Sequence, residues 1–234
     1  MNLLSFTETD MSDYDQAATG KIYSLALEIS DLEKRVEDML EIALDTSWLD
    51  PLGVIDKPGY KARSKRTIDK ITNDILQNVG SEMSEEFGEY MVSDAAQTAL
   101  KEHLSHLRLP LAEFIKEKIS GNPGFDFHTE CPSATIAFGE AKYSGVSSAH
   151  GRALKQINEF IVDEKDTQEL PDLQKFVTKA AAINAVNGTK SYSAAFSITS
   201  NNINRIMDNA LKSPRMKSLL KYEAVYLIGV KVSA

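Results

Sequence analysis

Several features that define common protein classes are scarce or missing in this sequence. Cys131 is the only cysteine among 234 residues, which excludes an intramolecular disulfide and therefore a disulfide-stabilised secreted scaffold. No run of about 18 apolar residues occurs, and the opening residues, MNLLSFTETD, lack the basic start and apolar core of a secretory leader. These absences predict a cytoplasmic protein with no membrane-spanning segment.

Familiar catalytic motifs are also missing. The chain has no glycine-rich phosphate-binding loop, no HExxH motif and no internal repeat. His103 and His106 are three residues apart on a predicted helix, but no further ligands accompany them, which argues against a zinc site. Cys131 has His128 nearby as a possible base, yet no oxyanion-binding pattern supports a cysteine nucleophile.

Acidic residues are concentrated at the N-terminal end of the chain. The net charge is −8, and residues 1–58 hold 13 Asp or Glu against 4 Lys or Arg, whereas the remainder holds 21 against 22. Phosphate contacts come from lysine and arginine, so the acidic arm is not itself a nucleic-acid surface. It is either a solvated or partner-binding face, or an internal mimic of phosphate that shields a cleft.

The composition is that of an ordinary globular protein, with 42% hydrophobic and 26% charged residues. The first 15 or so residues carry few apolar anchors and are expected to be poorly ordered. Apolar residues spaced by three and four predict a helix over 21–44. We therefore expect an acidic, mainly helical region over 1–80 and a core domain over 81–234.

Two later segments carry charges with more than one interpretation. Lys57-Pro58-Gly59 breaks the helical pattern, and the basic cluster after it either contacts phosphate or forms a solvated loop; its members are Lys61, Arg63, Lys65 and Arg66. Ser81 or Ser84 can cap the next helix, whose body is apolar on several sides. Glu89 lies at the N-terminal end of a row of apolar residues along one face of that helix. It is therefore either a site carboxylate or a capping and salt-bridging residue.

Residues 124–142, GFDFHTECPSATIAFGEAK, predict two short strands joined by a turn at Cys131-Pro132-Ser133. On the second strand, a period of two places Glu140 and Lys142 on one face with Ile136 and Phe138. The opposite face carries only the small residues Ala137, Gly139 and Ala141. A face of small residues suits a closely packed helix.

Antiparallel pairing of these strands would bring two carboxylates and an ammonium together. Asp126 would lie opposite Gly139 or Glu140, with Lys142 nearby. Hard oxygen ligands at a strand end suit Mg²⁺, with Mn²⁺ as the alternative, because Mg²⁺ usually takes one or two protein carboxylates plus phosphate oxygens. Lys142 would then orient or activate the attacking water.

The remaining segments predict a further helix and a pair of late strands. The helix, over 149–162, carries Arg152, Lys155 and Gln156, and the two cations either meet an anion or remain solvated. Residues 163–169 read as a charged loop and 173–186 as another helix. Residues 191–199 and 222–232 are strand candidates, and the second is suited to a buried strand.

Asp126 followed by Glu140-Ala141-Lys142 on paired strands resembles the metal site of the PD-(D/E)xK nuclease superfamily. The order of a helix with Glu89, the hairpin, a helix with Gln156 and a late strand matches that core. SEEFGEYM, GFDFH, and FGEAKYS followed by ALKQI are similar to the nuclease subunit of Hachiman anti-phage defence systems, the HamA-like proteins, over roughly 81–162. The segment YLIGVKV near the C-terminus is a weaker match.

The resemblance implies an α/β (α+β) fold with a mixed sheet flanked by helices and an added N-terminal helical region. It also implies a DNA-cleaving effector that works with a helicase partner. By position it assigns Glu89, Asp126 and Glu140 to the metal, Lys142 to water positioning and Gln156 to support of the site. Phe125 departs from the superfamily pattern, which places a proline before the aspartate.

Other functions fit the same residues. A nuclease-like fold that binds a helicase or DNA ends without cutting is the alternative from a different class. An RNase or a sequence-specific restriction enzyme is the enzymatic alternative, because the motif does not separate DNA from RNA. The sequence leaves open the oligomeric state, the sequence preference and the trigger.

Overall fold

The computed structural model describes residues 1–78, 84–115, 124–147 and 149–232. The strands are β1 (Asn2–Asp10), β2 (Lys21–Ile29), β3 (Leu107–Arg108), β4 (Phe127–Cys131), β5 (Thr135–Lys142), β6 (Lys190–Ile198) and β7 (Ala224–Val232). The α-helices are α1 (Leu32–Leu44), α2 (Asp56–Asn78), α3 (Glu85–Leu104), α4 (Ala112–Ile115), α5 (His150–Val162), α6 (Lys165–Leu173), α7 (Lys179–Val186) and α8 (Ile203–Leu211). No helix among these residues is long and apolar enough to cross a membrane.

The seven strands form one mixed sheet in the order β1-β2-β7-β6-β5-β4-β3. The neighbouring pairs β2/β7, β7/β6 and β6/β5 are parallel, whereas β1/β2, β5/β4 and β4/β3 are antiparallel. The expected α/β architecture with a mixed sheet and flanking helices is therefore confirmed.

Helices cover both faces of the sheet, and β7 shows why its sequence is almost continuously apolar. Val225 and Leu227 point into the core that contains residues of α5, α6, α7 and α8. Tyr226 and Ile228 point into the core that contains residues of α1 and α3. A central parallel strand is buried on both faces, so it shows no alternation of apolar and polar residues.

The N-terminal segment differs from the expectation. Residues 2–10 form strand β1 rather than a poorly ordered tail, and the helix expected over 21–44 begins only at Leu32, because residues 21–29 form β2. The apolar residues of β2 are buried on both faces, and its pairing with β7 from Lys21 to Ile29 determines the extended conformation. The boundary expected after residue 80 lies outside the described residues and stays a prediction, and β2 belongs to the same sheet as the later strands.

Two other segments form helices where the sequence indicates a break or a loop. Helix α2 starts at Asp56 and includes Pro58 in its first turn, where a missing backbone N–H costs no helical hydrogen bond. The basic cluster that follows therefore lies on a helix and not in a loop. Residues 165–173, expected to be mostly charged loop, form α6, and the helix expected over 173–186 is shortened to α7.

The small face of β5 packs as predicted. Ala137 and Ala141 lie in the same core cluster as the buried residues of α3, whereas Ile136 and Phe138 lie in the cluster on the α5 side. A Cβ atom built on Gly139 would come within 2.3 Å of the ring of Phe127 on β4. Glycine at this position is therefore required by close approach of an aromatic ring.

This close approach predicts the effect of enlarging Gly139. Gly139→Ala should lower the free energy of unfolding by about 1–3 kcal/mol, because the rigid ring of Phe127 must shift within a packed core. Gly59→Ala is the control: nothing lies within 4 Å of its Cβ position, and the change in α2 should be neutral or stabilise by up to about 1 kcal/mol. Urea unfolding of both variants measures the difference, and equal stabilities would contradict the packing argument.

Candidate active site

Asp126 lies immediately before β4 and is fixed by the neighbouring strand β5. Its backbone N–H donates to the carbonyl of Gly139 at 2.9 Å, and its Oδ2 accepts a hydrogen bond from the backbone N–H of Ala141 at 2.9 Å. Phe127 pairs with Gly139 in the register of β4 and β5. The structure therefore places Asp126 beside Glu140, as the antiparallel pairing predicts.

Glu140 and Lys142 form a buried ion pair on β5. The Glu140 side chain is 0% exposed and that of Lys142 is 13% exposed. Oε1 of Glu140 lies 2.7 Å from Nζ of Lys142, yet among the described residues neither Oε atom of Glu140 accepts a hydrogen bond of regular geometry. Oε1 is therefore occupied by the ammonium of Lys142, and Oε2 is the oxygen that no donor among the described residues reaches.

Glu89 reaches the same place from α3. Ser84 caps this helix by accepting a hydrogen bond from the N–H of Phe87 at 3.2 Å, so the expected capping serine is confirmed as Ser84. Oε1 of Glu89 lies 3.4 Å from Nζ of Lys142, and the Glu89 side chain is 28% exposed. A Cβ atom on Gly88 would overlap the ring of Tyr143. This tight contact between helix and strand end brings the two elements together at the carboxylates.

The carboxylates and the ammonium perturb one another. Burial raises the pKa of Glu140 well above its usual value, and the neighbouring Asp126 carboxylate raises it further, while Lys142 opposes both effects. Burial also raises the pKa of Glu89. For Lys142, burial favours the neutral amine, but Glu140, Asp126 and Glu89 together outweigh it and raise the pKa. Lys142 is therefore a protonated donor at neutral pH.

The donor set suits a hard cation more than a soft one. In the part of the chain that the structure describes, no group of three His, Cys, Asp or Glu side chains is arranged to hold a metal ion. Lys142 lies within reach of both Glu140 and Glu89 and supplies the positive charge between them. Oε2 of Glu140 and the adjacent Asp126 carboxylate nevertheless fit Mg²⁺, which takes one or two protein carboxylates and keeps several waters.

Gln156 is not hydrogen-bonded to these residues in the described part of the chain. It occupies the middle of α5 and lines an open surface cavity together with Asn158 and Arg215. Within the described ranges it makes no hydrogen bond to Glu140 or Lys142. Its supporting role stays a prediction, and the carboxylate cluster is held together by α3, β4 and β5.

Arg152 links the start of α5 to the strand that carries Lys142. One guanidinium nitrogen lies 2.5 Å from Oε1 of Glu85 on α3, and the other donates to the backbone carbonyl of Tyr143. This arginine was expected either to meet an anion or to remain solvated. It has a carboxylate partner, and it also contacts Tyr143, the residue that follows Lys142. The N-terminal turn of α5 thus borders the cluster.

The basic cluster of α2 is exposed. Arg63 lies over the ring of Tyr60 at 4.7 Å, and Lys70, further along the helix, pairs with Glu86 at 2.7 Å. Glu86 belongs to the first turn of α3, the helix of Glu89. Basic side chains of α2 therefore approach the start of the helix that supplies a site carboxylate.

A residue outside the predicted set holds Asp126 in place. Oε1 of Glu169 on α6 accepts from the backbone N–H of Phe125 at 2.9 Å, and its Oε2 lies 2.6 Å from Nε2 of His128. Both partners flank Asp126. The segment of Glu169 reads as a charged loop in the sequence, so only the helical conformation of α6, fixed by tertiary packing, reveals this contact.

His106 and Cys131 both have hydrogen-bonding partners in the core. Nδ1 of His106 lies 2.9 Å from Oγ1 of Thr129, and burial lowers the His106 pKa to about 4. Sγ of Cys131 lies 3.2 Å from the hydroxyl of Tyr226, and burial raises the Cys131 pKa to about 11. A neutral thiol of this kind is a poor nucleophile.

Glu169 provides a stability test of the scaffold around Asp126. Glu169→Ala should lower the free energy of unfolding by about 3 kcal/mol, because it leaves a buried N–H and a buried imidazole without this partner. Glu169→Gln keeps an acceptor for Phe125 and a polar contact for His128, so its free energy of unfolding should fall markedly less than that of Glu169→Ala. Urea unfolding of both variants measures the gap, and equal losses would show that the side-chain contacts with Phe125 and His128 are unimportant.

Comparisons with known proteins identify no relative of this chain. No protein-family model, no curated protein and no solved structure matches the chain. The functional argument therefore depends on the residues and contacts described above.

Proposed function

We propose that this protein is an Mg²⁺-dependent DNA nuclease with a PD-(D/E)xK core, acting as the effector of a bacterial anti-phage defence system with a helicase partner. The observation that carries the proposal is the buried Glu140–Lys142 pair on β5. Oδ2 of Asp126 accepts a hydrogen bond from the backbone N–H of Ala141, the residue between them. An acidic residue, a second acidic residue and a lysine on two paired strands are the motif of that superfamily. The order α3, β4, β5, α5 and β6 also agrees with its core.

A buried charged cluster without a structural purpose is costly, which supports a functional role. Removing carboxylates from water disfavours their ionised form, and one lysine near three carboxylates leaves negative charge in excess. Buried carboxylates with raised pKa values, such as Glu140 and Glu89, are typical of sites that bind a cation or move a proton. An ion pair with a purely structural role could remain at the solvated surface and would not need to be buried.

The roles follow from the positions of the side chains. Glu140 and Asp126 would hold Mg²⁺, and Glu89, whose Oε1 lies 3.4 Å from Nζ of Lys142, would be the third carboxylate of the site. Bound Mg²⁺ would polarise the scissile phosphate and stabilise the leaving oxygen. Because its carboxylate neighbours keep Lys142 protonated, Lys142 acts as a hydrogen-bond donor that orients the attacking water or the phosphate oxygen.

A non-catalytic interaction module is the second possibility. The same fold could bind a helicase or DNA ends without cutting, and pairing of Lys142 with Glu140 and Glu89 would then be the permanent state of the cluster. Oε2 of Glu140, which accepts no hydrogen bond from the described residues, favours the nuclease, because a structural carboxylate would ordinarily be satisfied by hydrogen bonds.

Cleavage assays separate these possibilities. Glu140→Gln and Lys142→Ala should each reduce Mg²⁺-dependent cleavage of plasmid and linear DNA at least about a hundredfold, because each removes a group that acts on the transition state. EDTA should abolish cleavage by the unmodified chain, and excess Mg²⁺ should restore it. RNA of the same sequence is assayed in parallel to establish the substrate class.

Lys34→Ala is the control for these variants, because Lys34 forms an exposed pair with Asp38 on α1, remote in the chain from the hairpin. It should cleave like the unmodified protein. Undiminished cleavage by folded Glu140→Gln and Lys142→Ala would refute the assignment. Absence of cleavage and of Mg²⁺ binding in the chain freed from partners would favour the interaction module.

The helicase partner requires a docking surface, and α1 offers an acidic one. Glu33, Glu37 and Glu41 are exposed and spaced by four residues, so they form one stripe along the helix. Changing all three to lysine should weaken binding of the helicase subunit of a Hachiman system at least about tenfold, because charge complementarity is reversed. Titration calorimetry with the purified subunit measures the affinity. Deletion of residues 1–58 is unsuitable, since it removes β2 from the sheet.

A matched control carries the same change of net charge elsewhere. Glu102, Glu159 and Glu223 are exposed and lie outside α1, so their combined change to lysine should leave helicase affinity within about twofold of the unmodified chain if only the α1 stripe docks. Equal weakening by both triple variants would mean that net charge, and not the α1 stripe, governs the association.

A further inference from the structure

The two edges of the sheet are very different. One edge is β3, which has 2 residues, and the other is β1, which has 9 residues, from Asn2 to Asp10. Natural edge strands are usually protected against further pairing by short length, lysine, proline or bulges. The sequence of β1, NLLSFTETD, contains no lysine and no proline, and its pairing with β2 shows one register shift, between Leu3 and Ser5. The edge is regular from Ser5 to Asp10, and this part is able to accept another strand.

The same edge carries exposed apolar side chains. Leu3, Leu4 and Phe6 are 40%, 43% and 41% exposed. Phe6 also ends a row of stacked aromatic rings that crosses the sheet. Tyr226 and Tyr23 have centroids 5.3 Å apart with an interplanar angle of 12°, and Tyr23 and Phe6 follow at 6.4 Å and 27°. The row passes from β7 through β2 to β1 and stops at the exposed edge.

The charges of β1 indicate which kind of strand fits. Its acidic residues, Glu8 and Asp10, already lie 2.9 and 2.7 Å from Nζ of Lys21 on β2. Residues 2–7 carry no charged side chain. A strongly basic partner strand would therefore find little unneutralised charge to meet, whereas a strand that places uncharged residues opposite Glu8 and Asp10 avoids repulsion between like charges.

We propose that β1 pairs antiparallel with β1 of a second copy of this chain, around a twofold axis at Phe6. In that register Phe6 faces Phe6 of the second copy, Leu4 faces Glu8, and Asn2 faces Asp10. No acid faces an acid, and the two aromatic rows join into one. Parallel pairing in register would instead place Glu8 against Glu8, which is unfavourable for like charges. The pairing is self-complementary, as a twofold interface requires.

Light scattering coupled to gel filtration tests the association. The unmodified chain should have twice the mass of the monomer, and Phe6→Lys should raise the dimer dissociation constant at least about tenfold, because two ammonium groups then meet on the axis. Leu44→Lys is the control: Leu44 is an exposed apolar residue at the end of α1, and this variant should remain dimeric. Thermal melting confirms that both variants are folded.

Disulfide trapping tests the register. Phe6→Cys should crosslink on mild oxidation, because residues on the axis of an antiparallel pair have Cα atoms about 4.5–5.5 Å apart. Thr9→Cys should not, since the two copies of residue 9 would be separated by about 20 Å along the strands. The native Cys131 is buried and provides the background. A monomeric unmodified chain at every concentration reached, or equal crosslinking of the two variants, would overturn the proposal. Neither assay depends on catalytic activity.

Discussion

The pairing of β4 with β5 is the constraint on which the candidate site depends. It positions Asp126 against the backbone of Ala141 and leaves Glu140 buried with Lys142 as its counter-ion. Burying one carboxylate beside another is unfavourable unless a cation is close. Lys142 supplies that cation, and α3 can close over the strands because Ala137 and Ala141 present little bulk toward it.

The sequence was sufficient to locate this hairpin, because alternation with a period of two is a local property. The side chains of β5 keep that period, and the small residues on one face predict the close helix that the structure contains. The same reasoning brought Asp126 and Glu140 together. It also identified Ser84 as a possible cap, since a serine directly before acidic residues and an apolar run is a local signal.

Other elements could not be predicted because tertiary contacts decide them. In β2, apolar residues fall at spacings that also fit a helix, and only parallel pairing with β7 selects the strand. Pro58 resembles a helix breaker but occupies the first turn of α2. Glu169 gives no local signal at all. Its contacts with Phe125 and His128 join residues about 40 positions apart in the chain, at a distance that pattern arguments do not reach.

The most direct test of the central claim is the location of a bound cation. Crystals grown with Mn²⁺ would be measured at the manganese absorption edge, where anomalous scattering identifies the ion. The account predicts a peak about 2 Å from carboxylate oxygens of Glu140 and Asp126, with the ammonium of Lys142 displaced from Glu140. A structure at saturating Mn²⁺ with no peak there, and with the Lys142–Glu140 pair intact, would contradict the assignment of this cluster as a metal-dependent nuclease site.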